Sequence, residues 1–251
     1  MIIVNQEISN ENSIELDSGF LLGKALFETI LLKDKPIFFK EHLQRINKGL
    51  LKIGLKTQVS EEYFINNISK VGWKNCAVRL TVSEKNIIFT KREIGYKEKD
   101  YISGFKTKLS HIYRNPKSHF TYLKSVNYID NLIEREKAIN EGYNEVIFLN
   151  YEKYLSEGSV SNLFWIKNKK IYTPSLECGL LDGVVRKWVV SNFEVCEGKF
   201  QLNDLLNSDG AFFTNSLMGV MKVERVNEKL LKKSDIINDI RLTYEDYIAK
   251  L

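Results

Sequence analysis

The sequence predicts an α+β chain (α/β two-domain), with much of its sheet antiparallel. Three observations carry this reading. Short apolar or alternating runs recur at strand length, as at 25–32, 77–82, 144–149 and 160–166. Between them lie segments whose apolar residues repeat at helical spacing. An irregular stretch over 110–122, with Asn115-Pro116 as a turn signal, divides the chain into two such sets. The expected organisation is an N-terminal α/β domain over 1–109, an interdomain loop over 110–122 and a C-terminal domain over 123–251.

In chain order, residues 2–4, 14–16, 25–32 and 36–39 read as strands, separated by Asp17-Ser18-Gly19 and Lys33-Asp34. Over 41–53, Leu43, Ile46, Leu50 and Ile53 share a helix face, and Gly54 suits the left-handed residue that ends it. Ser60 suits the N-cap of a helix turning Phe64, Ile68 and Val71 inward. In 77–82, Val78, Leu80 and Val82 fall on one side of the pleat. Residues 125–141 read as a helix closed by Gly142, and 144–149, 160–166 and 170–172 as strands, with a turn at Asn168. A helix opening near Gly183 buries Val184, Val185, Trp188 and Val189; 211–214 is a strand, and Ser234 suits the cap of the last helix.

The chain has 251 residues, 43% hydrophobic and 27% charged, a composition that can bury a core. A net charge of +5 raises the question of nucleic acid. Its densest basic stretch, 91–108, is broken by Glu93, Glu98 and Asp100, so there is no one-sign stripe for a phosphate backbone. Cys76, Cys178 and Cys196 are odd in number and lack ligand spacing, which predicts reduced thiols and no metal site. Residues 1–10 turn polar too soon for a leader core, and no apolar run is long enough for a bilayer. A soluble, cytoplasmic protein without membrane or nucleic-acid partners is expected.

There is no GxxxxGK, HExxH or GxSxG. What stands out is a series of elements in fixed order: GKALFETI at 23–30, HLQR at 42–45, RNP at 114–116, LKSVNYIDN at 123–131, EGSVSNLFWIK at 157–167, TPSLECGLLDGVVRK at 173–187 and TNSLMGVMKV at 214–223. In that order and spacing they resemble the fold type IV pyridoxal-phosphate enzymes, the class IV aminotransferases, over residues 14–225. That family includes branched-chain aminotransferase, D-amino acid aminotransferase and 4-amino-4-deoxychorismate lyase. The resemblance implies a D-amino acid aminotransferase-like fold, with a smaller N-terminal α/β domain and a larger C-terminal pseudo-barrel domain. It also implies pyridoxal 5'-phosphate as cofactor in a cleft between the domains, a small-molecule amine substrate and a homodimer.

Residue by residue, the resemblance makes Lys124 of K-x-x-N the lysine that bonds the cofactor covalently and then moves protons, a task that needs an amine tuned by its surroundings. Glu157 takes the place of the carboxylate facing the pyridine nitrogen, which keeps that nitrogen protonated. Arg45 matches the phosphate-binding arginine. Val184 and Val185 open a helix whose free N–H groups suit an anion, and Ser216 replaces a phosphate-binding hydroxyl. Tyr128 is placed within reach of the cofactor's phenolic oxygen. His42 reads as a packed helix residue, and Asn162 and Thr173 as structural.

The first segment departs from the family's Y-G-D-G-x-F-E-T, reading Leu22-Gly23-Lys24-Ala25-Leu26-Phe27-Glu28-Thr29. Lys24 and Glu28, with Arg79 of VRLTVS, are therefore assigned to the substrate side. Lys222 stands where the family has proline. Short length, RNP and TNSLMGV sit nearer the lyase branch, which converts 4-amino-4-deoxychorismate to 4-aminobenzoate and pyruvate in folate biosynthesis. An aminotransferase acting on branched-chain or D-amino acids is the second expectation. A non-catalytic binding module is a third, set against the retention of Lys124, Glu157 and Arg45 together. A basic RNA-binding domain is a fourth, with nothing beyond net charge behind it.

Overall fold

The computed structural model describes residues 2–9 and 13–251. Met1 and Asn10, the two ends of the leader reading, lie outside the described residues. The chain divides into two compact units: residues 1–95 with 123–127, and residues 96–122 with 128–251. No helix among the described residues is long and apolar enough to cross a membrane.

The smaller unit contains β1 (Ile2–Val4), β2 (Glu7–Ser9), α1 (Ser18–Leu22), β3 (Leu26–Leu32), α2 (Phe39–Lys52), α3 (Glu61–Ser69), β4 (Cys76–Val82) and β5 (Ile87–Arg92). Its five strands form one antiparallel sheet in the order β2-β1-β5-β4-β3. Alternation along β4 leaves Val78, Leu80 and Val82 with no exposure. They join Leu43, Ile46 and Leu50 of α2 and Phe64 of α3 in one core. Gly54, at φ +73, follows the C-cap of α2, and the Ser60 hydroxyl accepts from Tyr63 N–H to cap α3.

Residues 14–16 are not a strand. Asn86 explains this: its side-chain oxygen accepts from Glu15 N–H, and its amide donates to Glu15 C=O. Both backbone groups are thus satisfied without a ladder. Asp17-Ser18-Gly19, read as a turn, instead opens α1. The Asp17 carboxylate accepts from Gly19 and Phe20 N–H at the helix start, and from Ser83 Oγ, Lys85 N–H and Asn86 Nδ2 of the β4–β5 turn. Residues 36–39 give only a bridge between Pro36 and Leu32 before α2 begins.

The larger unit contains α4 (Glu98–Ser103), β6 (Phe105–Arg114), α5 (Ile129–Asn140), β7 (Glu145–Asn150), β8 (Leu155–Gly158), β9 (Asn162–Lys167), β10 (Lys170–Pro174), α6 (Val184–Asn192), β11 (Val195–Gly198), α7 (Leu202–Leu206), β12 (Gly210–Asn215), β13 (Gly219–Val226), β14 (Lys229–Leu230) and α8 (Asp235–Ala249). Strands β9-β12-β13-β6-β7-β8 run in sequence, and a β8–β9 pairing closes them into a six-stranded ring. Within the ring two pairs are parallel, β13–β6 and β6–β7; β10 extends antiparallel from β9, and β11 pairs with β10 in parallel. Trp165, Phe213, Met221, Ile147 and Leu155 fill its core.

Two segments differ from expectation. Phe105–Arg114 is a ten-residue ring strand, so 110–114 belongs to sheet rather than to a connection, and the chain passes to the larger unit at Gly95/Tyr96 rather than after residue 109. The helix placed over 125–141 begins at Ile129, because the residues before it are engaged with β3.

Candidate functional site

In the smaller unit, the lysine lies on an extended piece laid along the start of β3. Phe27 N–H donates to Lys124 C=O (2.8 Å), Val126 N–H donates to Ala25 C=O (3.1 Å), and Leu26 bridges Ser125. Asn127 of the K-x-x-N motif donates through Nδ2 to Gly23 C=O at 2.8 Å. Gly23 has φ +68, and a Cβ there would lie 2.3 Å from Asn127 Oδ1. Only glycine fits so close an approach in the left-handed region. That glycine is kept although its neighbours Leu22, Lys24 and Ala25 depart from the family pattern.

Residues of opposite parity on β3 serve two environments. Glu28 shares a face with Leu26, Ile30 and Leu32, beneath α2. There His42 and Arg45, three residues apart on one helix face, both reach it. Arg45 Nε and Nη2 donate to the two Glu28 oxygens at 2.6 and 2.7 Å, and His42 Nδ1 lies 2.7 Å from Oε2. Glu28 and His42 have no exposure. Burial alone would raise the Glu28 pKa, but the charges and hydrogen bonds of Arg45 and His42 hold it well below the usual carboxylate range. Burial lowers the His42 pKa, against the pull of Glu28. His42 is thus neutral at pH 7 and donates from Nδ1.

On the other parity, the Arg79 guanidinium lies 4.0 Å and Lys124 Nζ 4.6 Å from the Phe27 ring centroid. One aromatic ring therefore carries two cations. Lys24 is exposed.

In the larger unit, Glu157 is buried at the end of β8. Its Oε1 pairs with Arg114 Nη2 at 3.2 Å and its Oε2 accepts from Leu181 N–H at 3.0 Å. Arg114 lies 4.0 Å above the Phe148 ring and donates from Nη1 to Asn131 Oδ1. Tyr128 donates its hydroxyl proton to Ser159 C=O at 2.9 Å.

Helix α6 opens at Val184 behind Gly183, with no side-chain cap. A Cβ on Gly183 would lie 2.0 Å from Asn162 Oδ1, so a larger residue there would have to displace the Asn162 side chain. Asn162 Nδ2 in turn holds Leu181 C=O at 2.8 Å. Opposite Asn162 in the β9–β12 register stands Thr214, 1% exposed, whose Oγ1 has no hydrogen-bond partner among the described residues. Ser216 lies in the following turn, where Asn215 Oδ1 accepts from Leu217 and Met218 N–H. Open helix N–H groups beside a buried, unsatisfied hydroxyl fit a phosphate, and a carboxylate held by Arg114 fits a protonated ring nitrogen.

Within the smaller unit, then, Lys124, Glu28, Arg45 and Arg79 cluster around β3. Within the larger, Glu157, Tyr128, Val184, Val185 and Ser216 lie on the β8–β9, α5, α6 and β12–β13 segments. Asn162 holds Leu181 and crowds Gly183; Thr173 donates to Leu163 C=O at 2.7 Å, a bond internal to the sheet. Sequence reading assigned no role to Arg114, although it stands in the quoted RNP. It also gave none to Thr214, and saw only packing in His42. The signal for Arg114 was its position in that motif; the others became visible through register and burial.

The family model of class IV aminotransferases matches residues 25–226. An aminodeoxychorismate lyase from Bacillus subtilis is 30% identical over 90% of this chain and 88% of its own. A probable branched-chain-amino-acid aminotransferase from Aquifex aeolicus is 26% identical over 90% and 75%. Among solved structures, a putative 4-amino-4-deoxychorismate lyase from Legionella pneumophila matches with TM-score 0.86 at 24% identity, over 94% of this chain and 96% of that one. The Escherichia coli branched-chain amino acid aminotransferase matches with TM-score 0.87 at 20% identity, over 98% and 93%. The chain belongs to the class IV aminotransferase family, and is an enzyme dependent on pyridoxal phosphate.

Proposed function

We propose that the protein is a lyase acting on 4-amino-4-deoxychorismate, releasing 4-aminobenzoate and pyruvate as a step of folate biosynthesis. The observation that carries this is the 30% identity to the Bacillus subtilis aminodeoxychorismate lyase across nearly the full length of both chains. The Arg79 guanidinium, held over the Phe27 ring, supports it, because the substrate carries carboxylates.

Pyridoxal phosphate, when bound, supplies an electron sink for the charge left at the amine-bearing carbon. Lys124 would hold it covalently, and its amine, when free, would take the proton from that ring carbon. The enolpyruvyl C–O bond then breaks with its electrons as the ring becomes aromatic. The departing enolpyruvate takes up one proton at its methylene, so no net proton is gained or lost. Glu157, paired with Arg114, would hold the proton on the ring nitrogen. Val184 and Val185 N–H, Thr214 Oγ1 and Ser216 bind the phosphate, with Arg45 as the family's phosphate arginine. Arg79 and Lys24 take a substrate carboxylate, and Tyr128 orients the phenolic oxygen. A homodimer in the cytoplasm belongs to the same proposal.

The test is pyruvate release from aminodeoxychorismate with no 2-oxo acid present, abolished in Lys124→Ala. The likeness to the Aquifex aeolicus aminotransferase favours transamination as the second reading. Brisk amino transfer to a 2-oxo acid without pyruvate release would establish that reading instead.

A further inference from the structure

A buried carboxylate outside this set is bound into the turn that carries Glu157. Glu145, at the start of β7, is 1% exposed, and among the described residues it has no ion-pair partner. Its charge is met by uncharged donors. Oε1 accepts from Val146 N–H (2.9 Å), Ser159 N–H (3.0 Å) and the Ser159 hydroxyl. Oε2 accepts from the Ser161 hydroxyl (2.9 Å) and, at 3.4 Å, from Val160 N–H. A Cβ on Gly158 would meet Ser161 Oγ at 2.3 Å and Glu145 Cδ at 3.1 Å, so the turn is folded onto this carboxylate. A buried charge needs such a donor set, and here four of the five donors come from residues 159–161 alone.

The other side of that turn leads to Glu157. Ser159 C=O accepts from Tyr128 Oη at 2.9 Å and from Asn131 Nδ2 at 2.6 Å. Asn131 Oδ1 accepts from Arg114 Nη1 at 3.0 Å, and Arg114 Nη2 pairs with Glu157. Ser159 is thus held at both ends, by Glu145 through N–H and hydroxyl, and by the Asn131–Arg114 arm through its carbonyl.

We propose that Glu145 is a positioning residue: through Ser159 it fixes the 158–161 turn, and through Asn131 and Arg114 it sets where the Glu157 carboxylate stands. Its consequence for the cofactor rests on the ring-nitrogen reading of Glu157; its consequence for the protein alone does not. Leu181 N–H, held by Glu157 and not by Glu145, reports that second consequence.

The experiment compares wild type with Glu145→Gln, which keeps the shape but turns one acceptor into a donor, and with Ser159→Ala, which removes only the hydroxyl. Amide hydrogen exchange is followed in the cofactor-free protein. Leu181 is expected to exchange about tenfold faster in Glu145→Gln, and less so in Ser159→Ala, while the central Phe212 amide is unchanged. Equal acceleration at Leu181 and Phe212 would mean general destabilisation and overturn the proposal, as would no change at Leu181. If Glu145→Gln does not fold, the Ser159→Ala comparison decides alone by the same criterion. With ring-15N pyridoxal phosphate added, the nitrogen shift is expected to move toward the unprotonated value in Glu145→Gln. Faster Leu181 exchange with no shift in a cofactor-binding protein would support Glu145 and refute the role given to Glu157.

Discussion

The Glu28–His42–Arg45 group places three ionisable side chains within one hydrogen-bonded set, two of them without exposure. Its pH behaviour follows from the directions of the shifts. Buried His42 resists protonation, so below its ordinary value of 6.5 the unfolded chain binds a proton that the native state does not. Stability therefore falls as pH drops through that range, by about 1.4 kcal/mol per pH unit for one proton fully displaced. Glu28, with a depressed pKa, contributes stability present above its ordinary value of 4.5 and lost as pH falls further. His42→Gln is expected to flatten the slope of urea stability between pH 7 and 5 while leaving the slope below 4.5. Parallel curves for the two proteins would refute the assignment. Lys124 and Glu157 stand out in the sequence because each sits inside a motif. His42 was read as mere packing, since nothing in HLQR shows that residue 28, on another element, lies beneath it.

Elements show the same division. Strand β4 and helices α2 and α3 were readable because their burial is one-sided and their periodicity clean. Strand β6 was not: its exposed, intermediate and buried residues follow no simple alternation, and its two parallel neighbours lie far along the chain. The 14–16 segment looked like a strand but is satisfied by Asn86 instead of a ladder. At this scale Asp17 is the residue to remove, as it caps α1 and binds the β4–β5 turn at once. Its pKa is brought down to about 2: burial opposes this, and the Ser83, Lys85, Phe20 and Asn86 donors outweigh it. Asp17→Ala is expected to lower stability by about 2 kcal/mol at pH 7. Because the depressed group's contribution is lost as pH falls from 3.8 toward 2, the wild-type advantage should shrink across that window. A guanidinium midpoint unchanged at pH 7 would sink this account.

At the scale of the whole chain, the smaller unit is not contiguous. Residues 123–127 return to it, tying their backbone to Ala25 and Phe27 and bringing Leu123 onto its core. A fragment of residues 1–95 is expected to melt at lower temperature than the same fragment with 123–127 joined by a flexible linker, as judged by circular dichroism. Equal melting would show that the returning segment adds nothing to the unit it joins.

The seam of the six-stranded ring lies between β6 and β13, where Phe105 meets Val223 and Thr107 meets Val226. During translation, then, the earlier strands wait with an open margin until the stretch ending at Val226 has left the ribosome. Such long-range pairing is slow, and an unpaired margin invites association with other chains. A nascent chain stalled short of that point would be the form of this protein most in need of a chaperone.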